Sequence, residues 1–345
     1  MDVVVAPYDQ AWPQRFDEEA ARLAPAFGPA LMTLHHIGST SVPDLAAKPI
    51  IDIMPVVRDI ADVTAPVTAA LARLGYEGLG EFGLPGRRYF RKGGDNRTHH
   101  VHVYAFDHPD VVRHLAFRDY LRARPVVRCQ YARLKVALAA RYPRDIKTYM
   151  DGKDPFIKAT EARALAWWRR LPGLLVTGTV GVGKTTTLDS VADLLREAGL
   201  PYLAIDLDAL CDTNARPPFD PFGLGLVLAN LEAVVARGRA MGVRVVVMAG
   251  VVERPADIAA VRDAMGGADL YVVRLDAAAA AVEARLRRRM APGPHLDWHL
   301  QRAGELQAIL EHGNLGHATV AAGSRSSTAV ARDILRLWDP FTALS

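Results

Sequence analysis

The sequence predicts two domains in tandem: an N-terminal α+β domain that ends in helices, and a C-terminal three-layer α/β domain built on a parallel sheet. Three observations predict it. The chain has 345 residues, about two ordinary domains. Its composition changes midway, from a half rich in charge, His and aromatics up to about Ala164 to a half rich in Ala, Val, Leu and Gly from about Leu171. The second half alternates short, continuously apolar runs with helical stretches, as strands covered on both faces do. At the join, residues 161–173 begin as a helix and stop at Pro172-Gly173, a strong breaker. The boundary is expected near Trp168, giving domains of 1–168 and 169–345.

In the first half, residues 10–23 read as a helix, 50–55 as a strand and 60–74 as a helix. Residues 88–91 and 99–104 read as strands joined by the Gly93-Gly94-Asp95-Asn96 turn. Residues 111–168 read as helical throughout. In the second half the strands are expected at 174–177, 202–205, 243–248, 270–275 and 319–320. Helices are expected from the end of the glycine-rich run 178–185 to Leu195, then over 226–239, 256–264, 277–289 and 328–338.

Hydrophobic residues make up 50% and charged residues 23%, which excludes wholesale disorder. The net charge of +4 comes without a long Lys/Arg run, so a polyanion groove for nucleic acid is not expected. Cys129 and Cys211 are too few for a disulfide framework or a zinc site and read as small buried residues. The N-terminus has no charged-then-apolar leader pattern, and the most apolar window, 245–252, is strand-length. No membrane association and a reducing cytoplasm are therefore expected. Oligomeric state is not legible.

The most specific motif is Gly178-Thr179-Val180-Gly181-Val182-Gly183-Lys184-Thr185, followed by Thr186. It follows an apolar strand and opens a helix, the context that makes such a run a phosphate-binding P-loop. Glycines let backbone N–H groups turn toward phosphate, and the helix N-terminus adds partial positive charge. Lys184 is expected on the terminal phosphates and the Thr185 hydroxyl on Mg²⁺, with ATP as the nucleotide. ATPases and GTPases usually end a neighbouring strand in Asp, but the 243–248 strand runs into Ala249-Gly250. The acids instead follow the second strand, at Asp206 and Asp208, as in small-molecule kinases; either is a candidate general base. Asp208 as a helix cap is the alternative. Arg285 and Arg289 lie four apart on one helix face and are candidates to clamp a transferring phosphoryl group. Pro292-Gly293-Pro294 is expected to break that helix into a lid loop, and Gly323-Ser324-Arg325-Ser326 to lie near adenine. Arg216 and Asp220, in a Pro-rich loop, are candidates to cover an acceptor.

The first half carries a second constellation. Gly38-Ser39-Thr40-Ser41 stands shortly before a strand that bears Asp52, a nucleotidyltransferase layout in which Gly-Ser holds a triphosphate and paired carboxylates hold metals. Asp52 stands alone, because Ile50 and Met54 occupy both flanking same-face positions. His100 and His102 alternate by two and face the same way, so with Asp52 they could hold one metal, or bind an anion as cations. A polar, hydrogen-bonded strand face is the alternative. Lys48, Arg87, Arg88 and Arg91 add charge suited to phosphate.

Over about residues 3–165 the chain resembles the GrpB family. The resemblance rests on the 37–53 segment, Gly86-Arg87-Arg88-Tyr89-Phe90-Arg91-Lys92, Thr98-His99-His100-Val101-His102-Val103 and His114-Leu115-Ala116-Phe117-Arg118-Asp119-Tyr120-Leu121. It continues through Leu134-Lys135, Tyr142, Asp145, Tyr149, Lys153 and Phe156-Ile157. It implies a nucleotidyltransferase-like fold. Members of that family also occur fused to dephospho-coenzyme A kinase, in the reverse order to the one met here. The expected function is thus a Mg²⁺- and ATP-dependent small-molecule kinase in the C-terminal half. It is joined to a domain that binds or transfers a nucleotide or phosphorylated metabolite. The alternatives are a bifunctional enzyme acting mainly as a nucleotidyltransferase or ligase, and a non-catalytic ATP-dependent switch.

Overall fold

The computed structural model describes residues 3–213, 220–313 and 315–340. The chain divides into two compact units, Met1–Trp168 and Arg169–Ser345. No helix among the described residues is long and apolar enough to cross a membrane.

The N-terminal unit runs α1 (Trp12–Phe27), β1 (Leu31–Ile37), β2 (Ile51–Val57), α2 (Ala65–Arg73), β3 (Tyr76–Gly78), β4 (Arg88–Lys92), β5 (His99–Ala105), α3 (Pro109–Ala123), α4 (Pro125–Arg141) and α5 (Ile146–Arg169). The five strands form one sheet in the order β1-β2-β5-β4-β3. β2 and β5 are parallel, and the other pairs antiparallel. Alternation splits the central strands between two faces. Ile51, Ile53, Val101, Val103 and Phe90 pack with Trp12 and Leu23 of α1 and Leu71 of α2. Asp52, His100 and His102 take the other face. The register fixes this, pairing Asp52 with His100 across β2/β5 and Tyr89 with His102 across β4/β5.

Proline sets the helix starts: Pro109 and Pro125 stand in the first turns of α3 and α4, where a missing N–H costs nothing. The single helix expected over 60–74 is instead a 3₁₀ turn, Ile60–Asp62, capped by Asp59, and then α2. Thr64 is extended and Pro66 opens α2, so helical hydrogen bonding cannot run through. β1 and β3 were not expected. β1 is an edge strand of half-buried residues at its start, without clean alternation, and β3 is three residues long. Cys129 is exposed on α4 and Cys211 only half-buried, correcting the expectation that both are buried; neither forms a disulfide.

The C-terminal unit runs β6 (Pro172–Thr177), α6 (Lys184–Glu197), β7 (Tyr202–Asp206), a 3₁₀ turn (Leu207–Leu210), α7 (Leu224–Ala240), β8 (Val245–Ala249), α8 (Pro255–Ala264), β9 (Asp269–Asp276), α9 (Ala279–Arg289), α10 (Pro294–Gly313), β10 (Ala318–Ala321) and α11 (Ser327–Leu337). The sheet is wholly parallel, in the order β10-β9-β6-β8-β7. Every residue of β6 is buried. One apolar layer joins Leu188, Val191 and Leu195 of α6 to Val330 and Ile334 of α11. The other joins Leu231 and Val235 of α7 to Val261 of α8. β6 lies between β8 and β9, so the chain order reverses at its carboxyl end, where open parallel sheets bind ligands.

One expectation fails here. Pro292-Gly293-Pro294 does not lead into a lid loop; Pro294 opens the 20-residue helix α10. Proline breaks the helix before it and suits the first turn of the next. Of the loop residues considered for the acceptor, Arg216 lies outside the described residues. Asp220 caps α7, accepting from the N–H groups of Leu224 (2.8 Å) and Gly225 (2.9 Å).

Candidate active sites

In the C-terminal unit, β6 ends at Thr177 and the chain turns through Gly178 (φ 146°), Gly181 (φ 77°) and Gly183 (φ 109°) before α6. These are backbone conformations that favour glycine. Space demands glycine too: a Cβ on Gly178 would sit 2.8 Å from the Leu275 carbonyl, and one on Gly181 2.9 Å from the Leu286 side chain. Thr179 is buried and its hydroxyl donates to the Ala303 carbonyl in α10 (2.8 Å), which ties that helix to the loop. Val182 is buried, and it lines a cleft of about 550 Å³ with Val180, Gly183, Lys184, Thr185 and Thr186.

Lys184 Nζ donates to the carbonyls of Gly178 and Thr179 (both 3.1 Å), folded back over the turn. Burial draws its pKa down, and the carboxylates of Asp208 and Asp206 oppose that pull. The Thr185 hydroxyl donates to Asp206 Oδ2 (2.7 Å). Asp206 Oδ1 accepts from the Asp208 N–H (3.1 Å), so Asp206, not Asp208, caps the 3₁₀ turn. Asp208 lines the cleft, and burial pushes its carboxyl pKa up, against the lowering effect of Lys184. The two acids therefore differ: Asp206 is engaged by the Thr185 hydroxyl, and Asp208 faces the open cleft.

The arginine pair also divides. Arg285 is committed to backbone, donating to the carbonyls of Val182 (2.8 Å), Ala322 (3.4 Å) and Gly323. Arg285 lines the cleft with its guanidinium on these carbonyls. Arg289 lines the same cleft, has no hydrogen-bond or ion-pair partner among the described residues, and its charge reaches Lys184. Arg325 lines the cleft and pairs with Asp333 (2.5 Å).

In the N-terminal unit, Asp52 Oδ1 lies 3.1 Å from His100 Nδ1 and 3.6 Å from His102 Nε2. One ligand atom from each of the three falls within 4.8 Å of the others. Burial works against the Asp52 carboxylate, but the hydrogen bonds and charge of the two histidines hold its pKa well below the usual carboxylate range. His100 Nε2 is buried without a partner. An oxygen and two imidazole nitrogens suit a zinc- or manganese-type ion better than Mg²⁺. Gly38 (φ 69°) brings its backbone hard against this cluster: a Cβ there would lie 2.2 Å from Asp52 Oδ2.

The other expected residues sort by what they touch. Ser39 Oγ accepts from Lys135 Nζ (2.9 Å). Thr40 and Ser41 turn inward instead, donating to the carbonyls of Ile50 (3.2 Å) and Gly38 (2.6 Å), and brace the turn. Arg87 joins the cluster, with Nη1 3.5 Å from His102 Nδ1 and its guanidinium over Tyr89. Arg88 does not. It pairs with Val103 across the strands, on the face away from His102, and its side chain reaches Glu81 (3.7 Å). Arg91 shares the face of His100, but its guanidinium is held by Glu77 (2.7 Å).

Sequence reasoning missed three residues as site members. Lys135 and Lys153 are buried lysines; burial pulls their pKa down to about 7 and about 8. His114 lies beside His102, with ring centroids 5.9 Å apart, and burial pulls its pKa down to about 3. Lys135 had one signal in its setting, a charged residue within the apolar run Leu134-Lys135-Val136, and both lysines stand among the residues that carry the GrpB resemblance.

Residues 2–163 match a family model described as GrpB protein. Over 165 residues the chain is 48% identical to the UPF0157 protein YqkA of Bacillus subtilis (strain 168), covering 48% of this chain and 48% of that protein. It is 32% identical over 160 residues to the glutamate-rich protein GrpB of Alkalihalophilus pseudofirmus, covering 45% of this chain and 92% of that one. It is 29% identical over 189 residues to a dephospho-CoA kinase of Mycolicibacterium paratuberculosis, covering 48% of this chain and 46% of that one. The chain thus spans about half the length of the first and third of these relatives. Among solved structures, a conserved protein GrpB from Enterococcus faecalis is 49% identical (TM-score 0.46; 47% of this chain, 98% of that one). A shikimate kinase from Acinetobacter baumannii is 20% identical (TM-score 0.35; 49% and 94%).

Proposed function

We propose, since the chain belongs to the GrpB family through its N-terminal half, that a GrpB-type unit for a nucleotide or phosphorylated metabolite is joined here to a Mg·ATP-dependent phosphotransferase. The observation that carries the phosphotransferase reading is the pairing of Thr185 with Asp206 while Asp208 stays open to the cleft. A switch that only hydrolyses or senses ATP needs the metal-positioning acid. A kinase needs in addition a carboxylate to take a proton from an acceptor hydroxyl. Burial of the Asp208 carboxyl raises its pKa toward that of a useful base.

In this reading Mg·ATP supplies the phosphoryl group and the charge neutralisation between its phosphates. The turn from Gly178 to Thr186 receives the phosphates by backbone N–H groups and the α6 N-terminus. Lys184 exchanges its two carbonyl partners for phosphate oxygens, and Arg289 closes on them from α9. Thr185 and Asp206 orient the metal, and Asp208 orients and deprotonates the acceptor. In the N-terminal unit, Asp52, His100 and His102 hold one divalent ion, and Arg87 and Ser39 flank the ligand beside it.

The test is acceptor-dependent ADP release by the full chain over a panel of small hydroxylated metabolites. Lys184→Ala is expected to reduce the rate by at least about a hundredfold, the scale of losing a transition-state charge partner. ADP release that needs no acceptor, or that survives Lys184→Ala at the normal rate, would remove the kinase assignment.

A further inference from the structure

The N-terminal unit gathers more positive charge than its fold can use. Lys135 of α4 is 2% exposed and Lys153 of α5 is 9% exposed. Lys48 precedes β2 and is half-buried. Among the described residues none of the three has a carboxylate within ion-pair distance. They converge: Lys48 and Lys153 both lie over the Tyr149 ring, with Nζ 5.8 and 4.5 Å from its centroid. Lys135 Nζ lies over Tyr131 at 4.5 Å and reaches Ser39. Burial lowers the pKa of all three, and each also feels its neighbour's charge: Lys135 that of Lys153, Lys153 that of Lys48, and Lys48 that of Arg97. Asp52 is the one acid whose charge registers on Lys153, and it is already engaged by His100 and His102.

Burying like charges together without counter-ions is costly, and aromatic faces offset only part of it. Such a cluster is retained where a ligand brings the missing negative charge. A single carboxylate would leave most of this charge uncompensated, whereas a compact, multiply charged oxyanion matches three neighbouring lysines, one of them on the Ser39 hydroxyl.

We propose that Lys48, Lys135, Lys153 and Ser39 form the cradle for the phosphate or diphosphate group of the N-terminal unit's ligand, beside the Asp52, His100 and His102 cluster. The inference deepens the reading of that unit given above and rests on it. It assigns the anchoring of the ligand to helices α4 and α5 rather than to the strand arginines Arg88 and Arg91, whose partners are Glu81 and Glu77.

The experiment is calorimetric titration of inorganic pyrophosphate into the full chain carrying Lys184→Ala, which removes the P-loop lysine. One site per chain is expected to remain. Adding Lys135→Met or Lys153→Met is expected to weaken it by about tenfold or more, the scale of one charge-assisted hydrogen bond. Lys48→Met, at the half-buried edge, is expected to weaken it in the same direction. Thermal unfolding without ligand separates cradle from brace: removing an uncompensated buried cation raises Tm, whereas removing a structural lysine lowers it. If pyrophosphate binds all three Met variants undiminished, the lysine cradle is wrong. If the Lys184→Ala chain binds no pyrophosphate, the reading of the N-terminal unit itself fails. If a Met variant lowers Tm and only loses binding by unfolding, that lysine is a brace and leaves the cradle.

Discussion

At the scale of single residues, chemistry is decided by partners more than by residue type. Asp206 and Asp208 are two positions apart, yet one accepts from Thr185 and the other from no side chain among the described residues. Asp206→Asn keeps an acceptor for Thr185 but loses the charge, so its defect should appear as an increased Mg²⁺ requirement, of about tenfold. Asp208→Asn should instead lower kcat by about 10²–10⁴-fold at saturating Mg·ATP, the usual range for losing a general base. Steady-state kinetics at varied Mg²⁺ tells the two apart, and equal phenotypes would dissolve the distinction. Lys135 offers a pH test. Its pKa falls from 10.5 in the unfolded chain to about 7 in the fold. Between those values the unfolded chain binds the extra proton, so stability rises with pH, by up to about 1.4 kcal/mol per unit. At and below pH 7 the buried charge is retained and the cost is at its fullest. Lys135→Met should therefore be more stable than the parent, most of all near pH 6–7, with the gap closing toward pH 10 in urea unfolding curves. A pH-independent gap would mean Lys135 is not forced to carry a buried charge.

At the scale of elements, legibility followed periodicity. The parallel strands of the C-terminal unit are unbroken apolar runs, and the P-loop sits at a strand-to-helix junction, so both could be read directly. His100 and His102 could be read as one face, because alternation fixes direction within a strand, whereas Asp52 joins that face only through the β2/β5 register. β1 could not, since its start is half-buried at the sheet edge and carries no clean alternation. α10 was hidden by Pro292-Gly293-Pro294, which signals a stop and a start equally well. Lys135 and Lys153 were missed because a lysine on a helix normally faces water, and only the packing of Tyr131 and Tyr149 shows that these do not. The splitting of Arg285 from Arg289 was likewise invisible, because it depends on the Val182 and Gly323 carbonyls from two distant loops. Gly38 tests how tightly the turn before β2 is built against Asp52. Gly38→Ala adds left-handed strain and a 2.2 Å contact to Asp52 Oδ2. It is expected to destabilise the N-terminal unit by about 1–3 kcal/mol and to abolish metal binding. Gly80→Ala, with φ 63° and nothing within 4 Å, bears the strain alone and should cost about 1 kcal/mol with metal binding intact. Equal losses in the two variants would show that backbone strain, not the close approach to Asp52, sets the requirement.

At the scale of the whole molecule, each unit has its own sheet, its own apolar core and its own cluster of functional groups. The proposed activities therefore predict two ligands that act on two separate unfolding transitions. A ligand that binds only the native state stabilises by about 2.7 kcal/mol at a hundred times its Kd. Mg·ATP at that excess should raise the transition of the C-terminal unit. A zinc- or manganese-type ion should raise that of the N-terminal unit, as the Asp52, His100 and His102 donor set requires. Lys184→Ala should cancel the first shift and leave the second. His102→Ala should do the reverse, because it removes a ligand atom 3.6 Å from Asp52 without touching the P-loop. Differential scanning calorimetry of the full chain and the two variants measures all four combinations. A single transition moved equally by both ligands would mean that the chain unfolds as one cooperative body, and the proposed division at Trp168 would then have no energetic meaning. Two transitions of which the ion moves neither would instead leave Asp52 and its histidines as a polar strand face, with His100 hydrogen-bonded to the carboxylate and His102 beside it.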